Sequence, residues 1–172
     1  MRRILADHTC NVFLKPGEVI VSANPILVST VLGSCVTVTM YSPEKRVGAI
    51  CHAMLPNNHK ENDSLLYVDT AVRYTHRKMK EYGVRDDLVV KLFGGARVLV
   101  LVGGNRAGGG RSVGEQNVIQ AKKTLEQLGL AIAKADTGGT MGRKLFFSIK
   151  TGEVFLRKLR LNGSDCPQTV WP

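Results

Sequence analysis

The stretch from Ser29 to Pro56 constrains this chain most, because an alternating strand there runs into a tight turn and comes straight back. After Gly33-Ser34-Cys35, the apolar Val36, Val38 and Met40 alternate with Thr37, Thr39 and Tyr41, the period-two pattern of a half-buried strand. Ser42-Pro43-Glu44-Lys45 reads as a turn, since proline presets a turn dihedral and the serine before it can bond back to the main chain. The returning segment, Arg46 to Leu55, is then antiparallel to the first. A symmetric turn centred between Pro43 and Glu44 sets Cys35 directly opposite His52 on one face, with Cβ atoms about 5 Å apart. A slip of one residue would send the two side chains to opposite faces.

A cysteine facing a histidine is a nucleophile with its base. Free cysteine titrates near about pH 8.5, and an adjacent imidazolium would lower that value by stabilising the thiolate. Gly33 and Ser34 precede the thiol; glycine lets the backbone turn sharply, exposing sulfur and aiming amide N–H groups at an oxyanion. His8, His59 and His76 fall in an N-terminal arm, a polar loop and a basic helix face and read as surface residues, while Cys51 points to the other face of its strand. On these residues alone a second reading stays open, with Cys35 a small buried hydrophobe and His52 a satisfied core histidine.

Other chemistries fit less well. A cysteine-x5-arginine phosphatase needs arginine at the position held by Tyr41. Cys51 and His52 are adjacent in a strand and diverge, so no zinc-binding pair arises, and no GxSxG serine elbow is present. The glycine-rich segment from Gly103 to Gly114 has neither the GK[ST] ending nor the GxGxxG spacing of a phosphate loop and reads as a flexible loop. No metal or cofactor is expected.

At 172 residues, 44% apolar and 22% charged, the chain can bury its own core as one domain. Cys10, Cys35, Cys51 and Cys166 show no CxxC spacing and are expected to be reduced thiols. The segment Met1 to Cys10 lacks the apolar region of a secretory signal, and no run approaches membrane-spanning length. A cytoplasmic protein without membrane insertion is expected. The net charge of +10 favours an acidic partner. Its basic residues are spread along the chain with no nucleic-acid recognition motif among them, so nucleic acid is not an expected partner.

Around the hairpin, Glu18–Val21, Ile26–Val31, Leu88–Phe93, Val98–Val102 and Leu130–Ala135 read as strands, and Lys144–Ile149 with Glu153–Leu159 as a second hairpin across Thr151-Gly152. Val68–Tyr82, capped by Asp69 or Thr70 and stopped by Gly83, and Glu115–Leu128, with Val118, Ala121, Leu125 and Leu128 on one face, read as helices. Asn57–Ser64 is a polar loop beside the site, and residues 162–172 a frayed tail. Strands outnumber helices, which predicts an α/β fold with sheet packed on sheet or helix.

Ser29-Thr30-Val31-Leu32-Gly33-Ser34-Cys35-Val36 and Val47-Gly48-Ala49-Ile50-Cys51-His52-Ala53-Met54-Leu55-Pro56 closely resemble the CheD family of chemoreceptor glutamine deamidases. The resemblance continues through Tyr67–Ala71, Lys91–Ala96, Gly114–Val118 and Asp136–Arg143 in family order. It implies a three-layer α/β arrangement of β-sheets with flanking helices, similar to toxin-type cysteine deamidases. The implied activity is hydrolysis of glutamine side chains on the helical cytoplasmic domain of chemoreceptors to glutamate, with release of ammonia. A CheC-type phosphatase is an implied partner, and a regulatory binding role is the implied alternative. The family nucleophile falls on Cys35 and its histidine on His52. The third member is a hydroxyl shortly before the cysteine, Thr30 by residue type or Ser29 by spacing. Gly33 and Ser34 lie in the oxyanion turn.

Overall fold

The structure, a computed structural model, describes residues 10–57, 63–97, 110–159 and 169–171. Among these residues, β1 (Cys10–Phe13), β3 (Ile26–Leu32), β8 (Gly142–Ser148), β9 (Val154–Leu159) and β10 (Thr169–Trp171) form one sheet in that order. A second sheet has the order β2 (Val19–Ser22), β5 (Val47–Ala53), β4 (Val36–Ser42), β6 (Val89–Gly94) and β7 (Ile132–Thr137). Two helices, α1 (Val68–Glu81) and α2 (Val113–Gln127), complete the described elements. Asn24-Pro25 is where the chain leaves the second sheet at β2 and enters the first at β3.

The alternation read in the sequence decides the layers. On β4, Val36, Val38 and Met40 pack with Ala49 and Cys51 of β5 against Val68, Val72 and Met79 of α1 and Ala121 and Leu125 of α2. Tyr41, Ile50 and Phe93 turn the other way and meet Val28, Leu32, Leu145, Phe147 and Leu156 of the first sheet. Both helices therefore cover one face of the second sheet, and the first sheet covers the other. This is the expected three-layer α/β arrangement, with every residue of β4 and β5 buried.

Several local expectations change. In the hairpin, Ser42 pairs with Val47 and Thr37 with His52, so Cys35 is not directly opposite His52. The turn takes four residues, Pro43 to Arg46, because Arg46 adopts the left-handed region at φ 52°. The resulting shift is two residues, which preserves the face. The helix α1 has neither Asp69 nor Thr70 as cap; Tyr67 stands there with no side-chain cap bond, and the Val68 N–H donates to the Leu55 carbonyl at 2.8 Å. The helix α2 starts earlier than read, at a capping box in which Ser112 and Glu115 bond reciprocally.

At the end of the chain, residues 169–171 are not frayed but form β10 against β9. Trp171 meets the Phe93 ring edge-on, and the buried Lys91 ammonium donates to the carbonyls of Gly152 and Trp171 at 2.9 and 3.1 Å. The short parallel strand β1 was not legible beforehand. The expected strand Val98–Val102, most of the glycine-rich loop, and residues 58–62 of the polar loop lie outside the described residues.

Gly94 fixes the approach of β6 to the Cys35 segment. Its φ is +107°, and a Cβ there would sit 2.2 Å from the Cys35 carbonyl oxygen. Gly94→Ala is expected to lower stability by about 2–4 kcal/mol through backbone strain and overlap with main-chain atoms, read as a lower urea midpoint.

Candidate active site

The site is assembled where three backbone segments end together. Gly33 and Ser34 follow β3, and Cys35 stands immediately before β4. The Gly95 N–H donates to the Cys35 carbonyl at 2.8 Å and the Ala96 N–H to the Gly33 carbonyl at 2.8 Å. The Gly94–Ala96 loop is itself held by the Asp136–Gly139 loop, through Gly138 N–H to Gly94 carbonyl at 2.9 Å and Arg97 N–H to Gly139 carbonyl at 2.7 Å. Behind that loop the buried Arg143 guanidinium bonds Asp136 Oδ1 at 2.8 and 2.6 Å and the Gly138 carbonyl at 2.8 Å. These two loops thus support the Gly33–Cys35 segment.

Cys35 is half-buried and packs on the layer between the sheets. His52 faces the same layer, since its strand neighbour Cys51 lies on the helix side. Because Thr37 opposes His52, Cys35 is its diagonal neighbour, a backbone separation of about 7–8 Å that the imidazole can narrow. His52 is 2% exposed, and among the described residues its Nε2 has no hydrogen-bond partner. Thiol and imidazole are therefore not hydrogen-bonded to each other, unlike the direct pairing that the sequence predicts. The Thr37 hydroxyl, also buried and without a partner among the described residues, lies beside them.

Thr30 comes from the opposing sheet. Its Oγ1 lies 2.8 Å from His52 Nδ1 and donates to the Leu14 carbonyl at 2.9 Å. A hydroxyl has one hydrogen, so Thr30 must accept from His52. The neutral ring thus carries its proton on Nδ1, leaving the lone pair on Nε2. Ser29 belongs to the other face of β3, with the 44% exposed Val31, and strand alternation directs it away from the imidazole. Of the two hydroxyls considered, Thr30 alone meets His52.

The electrostatics also differ from expectation. Burial pushes the Cys35 thiol up, and its own backbone N–H near the sulfur offsets only part of that. Burial holds His52 below the usual imidazole range, against the Leu14 carbonyl and the Glu18 charge. The resting pair is neutral, thiol beside imidazole, with no imidazolium to lower the thiol. His76, expected at the surface, is 7% exposed within α1, and burial lowers it too.

Sequence reading missed Asn117. This α2 residue is fully buried, and its Nδ2 donates to the carbonyls of Ser34 at 2.9 Å and Met54 at 2.8 Å. The available signal was a polar residue one turn before Ala121 on the helix's buried stripe. No signal could have disclosed the Leu14 carbonyl, which is backbone.

Two pH responses follow. Iodoacetamide alkylation of Cys35 in the free protein is expected to accelerate past the ordinary thiol value, with no plateau below about pH 8; mass spectrometry of the labelled cysteine reads this. Because His52 titrates lower in the fold than unfolded, the unfolded chain binds more protons below about pH 6.5, so stability present above that value falls as the pH drops. His76 contributes with the same sign. Urea midpoints should decline on acidification below about pH 6.5, and less so in His52→Gln.

Residues 54–158 match the family model described as CheD chemotactic sensory transduction. The chain is 44% identical over 156 residues to a Geobacter sulfurreducens protein named probable chemoreceptor glutamine deamidase CheD 2, with 90% of this chain and 94% of the relative covered. Similarly named proteins of Maridesulfovibrio salexigens (42% identity; 86% and 91% covered) and Methanococcus maripaludis strain C5 (36%; 84% and 93%) are also similar. The family match begins just beyond His52, whereas the Geobacter alignment leaves out too few residues to miss Cys35. With the motifs in family order across nearly its whole length, this chain belongs to the CheD family.

Proposed function

We propose that this protein is a cytoplasmic amidohydrolase that converts selected glutamine side chains of chemoreceptor helical domains to glutamate. Cys35 is the nucleophile, His52 the general base and acid, and Thr30 the residue that orients the imidazole. The observation that carries this reading is the 2.8 Å contact between Thr30 Oγ1 and His52 Nδ1, which supports a proton on Nδ1 and an unpartnered Nε2 lone pair, among the described residues, on a ring that faces the same layer as Cys35. The family membership and the names of the relatives supply the substrate class.

The neutral resting pair sets the order of events. As the sulfur of Cys35 bonds to the glutamine Cδ, its proton passes to His52 Nε2, and the carbonyl oxygen becomes an oxyanion facing backbone N–H groups of the Gly33–Cys35 turn. The imidazolium then protonates the departing nitrogen as the C–N bond breaks, releasing ammonia and leaving a thioester on Cys35. Water attacks that thioester while His52 Nε2 takes its proton. Collapse expels the Cys35 sulfur, which recovers the proton, and glutamate is released. Thr30 keeps the ring in one tautomer throughout, so the same nitrogen serves as base and acid in both halves.

The test is ammonia release together with the mass change of a receptor cytoplasmic fragment. Cys35→Ala should abolish both while retaining receptor binding. Thr30→Val should lower kcat by about 10²-fold, a loss typical of impaired acid–base catalysis, and Ser29→Ala should remain within about threefold of wild type. Undiminished deamidation by Cys35→Ala would overturn the mechanism.

A further inference from the structure

We infer that Asn117 is a positioning residue for the oxyanion: it aims the Cys35 backbone N–H by holding the carbonyl end of the Ser34–Cys35 peptide. The inference rests on the deamidase reading and adds a residue to it.

A trans peptide is planar, and its C=O and N–H point in opposite directions. Fixing the Ser34 oxygen therefore fixes the direction of the Cys35 N–H. Asn117 binds that oxygen at 2.9 Å from the helix side, so the amide hydrogen is turned away from α2. Accepting a hydrogen bond at the carbonyl also polarises the peptide and makes its N–H a stronger donor. That N–H already lies near the Cys35 sulfur, where an oxyanion formed by attack of that sulfur would need it.

The second bond of Asn117 explains why a side chain does this work. The β4–β5 ladder stops at Val36 and Ala53, and the next rung would have joined Cys35 to Met54. Asn117 donates to the Met54 carbonyl at 2.8 Å, bridging the two strands from the side where that rung is missing. The nucleophile segment and the end of the histidine strand stay joined without a ladder bond at Cys35. Both amide hydrogens are used, and two carbonyl partners leave no doubt which end of the side chain is the NH2. The Oδ1 is buried and has no hydrogen-bond partner among the described residues. A buried acceptor left unpaired opposes folding, which an apolar residue of similar size would avoid; the NH2 group is what the position uses.

The placement of α2 supports this role. The Ser112–Glu115 capping box anchors its first turn. Gly114 packs so closely on the Gly95–Ala96 backbone that a Cβ there would come within 2.6 Å of two carbonyl oxygens. The helix is thus seated on the same loop that binds Cys35 and Gly33, and Asn117 reaches the nucleophile turn from a fixed origin.

The test compares two reactions of one thiol in wild type, Asn117→Asp and Asn117→Ala. Deamidation of a receptor fragment builds an oxyanion, whereas alkylation by iodoacetamide does not. Deamidation kcat is expected to fall by about 10²-fold in both variants, the scale of losing an oxyanion donor. KM and the alkylation rate should stay within about threefold. An unchanged kcat, or parallel losses of deamidation and alkylation, would overturn the inference, the latter showing a general collapse of the site. Inactive wild type with a reactive Cys35 would instead refute the deamidase reading. Should the variants fail to fold, wild type still decides. Forming the hemithioacetal of Cys35 with a glutamine-like aldehyde should move the Cys35 amide proton downfield in the NMR spectrum, and an unmoved resonance would sink the proposal.

Discussion

The hydrogen bond between His52 and Thr30 joins the two sheets inside a layer otherwise filled by side chains such as Val28, Leu32, Ile50 and Phe93. A ring N–H in such surroundings has no water to fall back on, and leaving it unpaired costs about 1–3 kcal/mol. The bond therefore does two things. It fixes how the first sheet sits over the second at this point, and it selects the imidazole tautomer. Leu14, whose carbonyl takes the Thr30 proton, is drawn into the same arrangement by its own N–H bond to the Ser29 carbonyl at 2.8 Å. Packing and chemistry are specified by one set of atoms, so a change that loosens the sheet interface here also releases the base.

The Cys35 side is held differently, by backbone bonds together with the Asn117 side chain. The Gly33–Cys35 turn hangs from Gly95 and Ala96, those from the Gly138–Gly139 turn, and that turn from the buried Arg143. Two needs account for glycine here: at Gly94 and Gly95 a Cβ would overlap the Cys35 carbonyl or the Val118 side chain, whereas Gly138 and Gly139 have open space and are required by their positive φ of 73° and 71°.

How much could be read beforehand follows from the range of each interaction. Strand alternation is local, so the face of Cys51 and both helices were legible from residues a few positions apart, whereas the three-layer arrangement was implied by the family resemblance and not by the pattern. The hairpin register depended on Arg46 adopting a left-handed backbone, which its residue type does not announce. Thr30 and Ser29 are adjacent in sequence and opposite in space, and which one meets His52 depends on the stacking of two sheets. Asn117 and the Leu14 carbonyl are tertiary in the same sense. The protonation states are not legible in the sequence because burial is a property of the assembled layer, and burial raises the thiol and lowers the imidazole. The strands β1 and β10 are short and mostly exposed, so neither carries the buried apolar run by which a strand is recognised.

A half-buried thiol that keeps its proton has a consequence beyond the reaction itself. Peroxides and stray electrophiles react with thiolates, and oxidation of cysteine follows thiolate character and exposure. Cys35 has little thiolate at rest and is shielded by the layer on which it packs. On the proposed mechanism, activation would be coupled to a carbonyl carbon arriving at bonding distance, when proton transfer to His52 becomes favourable. On that mechanism the cysteine would be latent toward small oxidants and reactive toward a correctly seated carboxamide, a form of chemical selectivity to which burial of the thiol contributes.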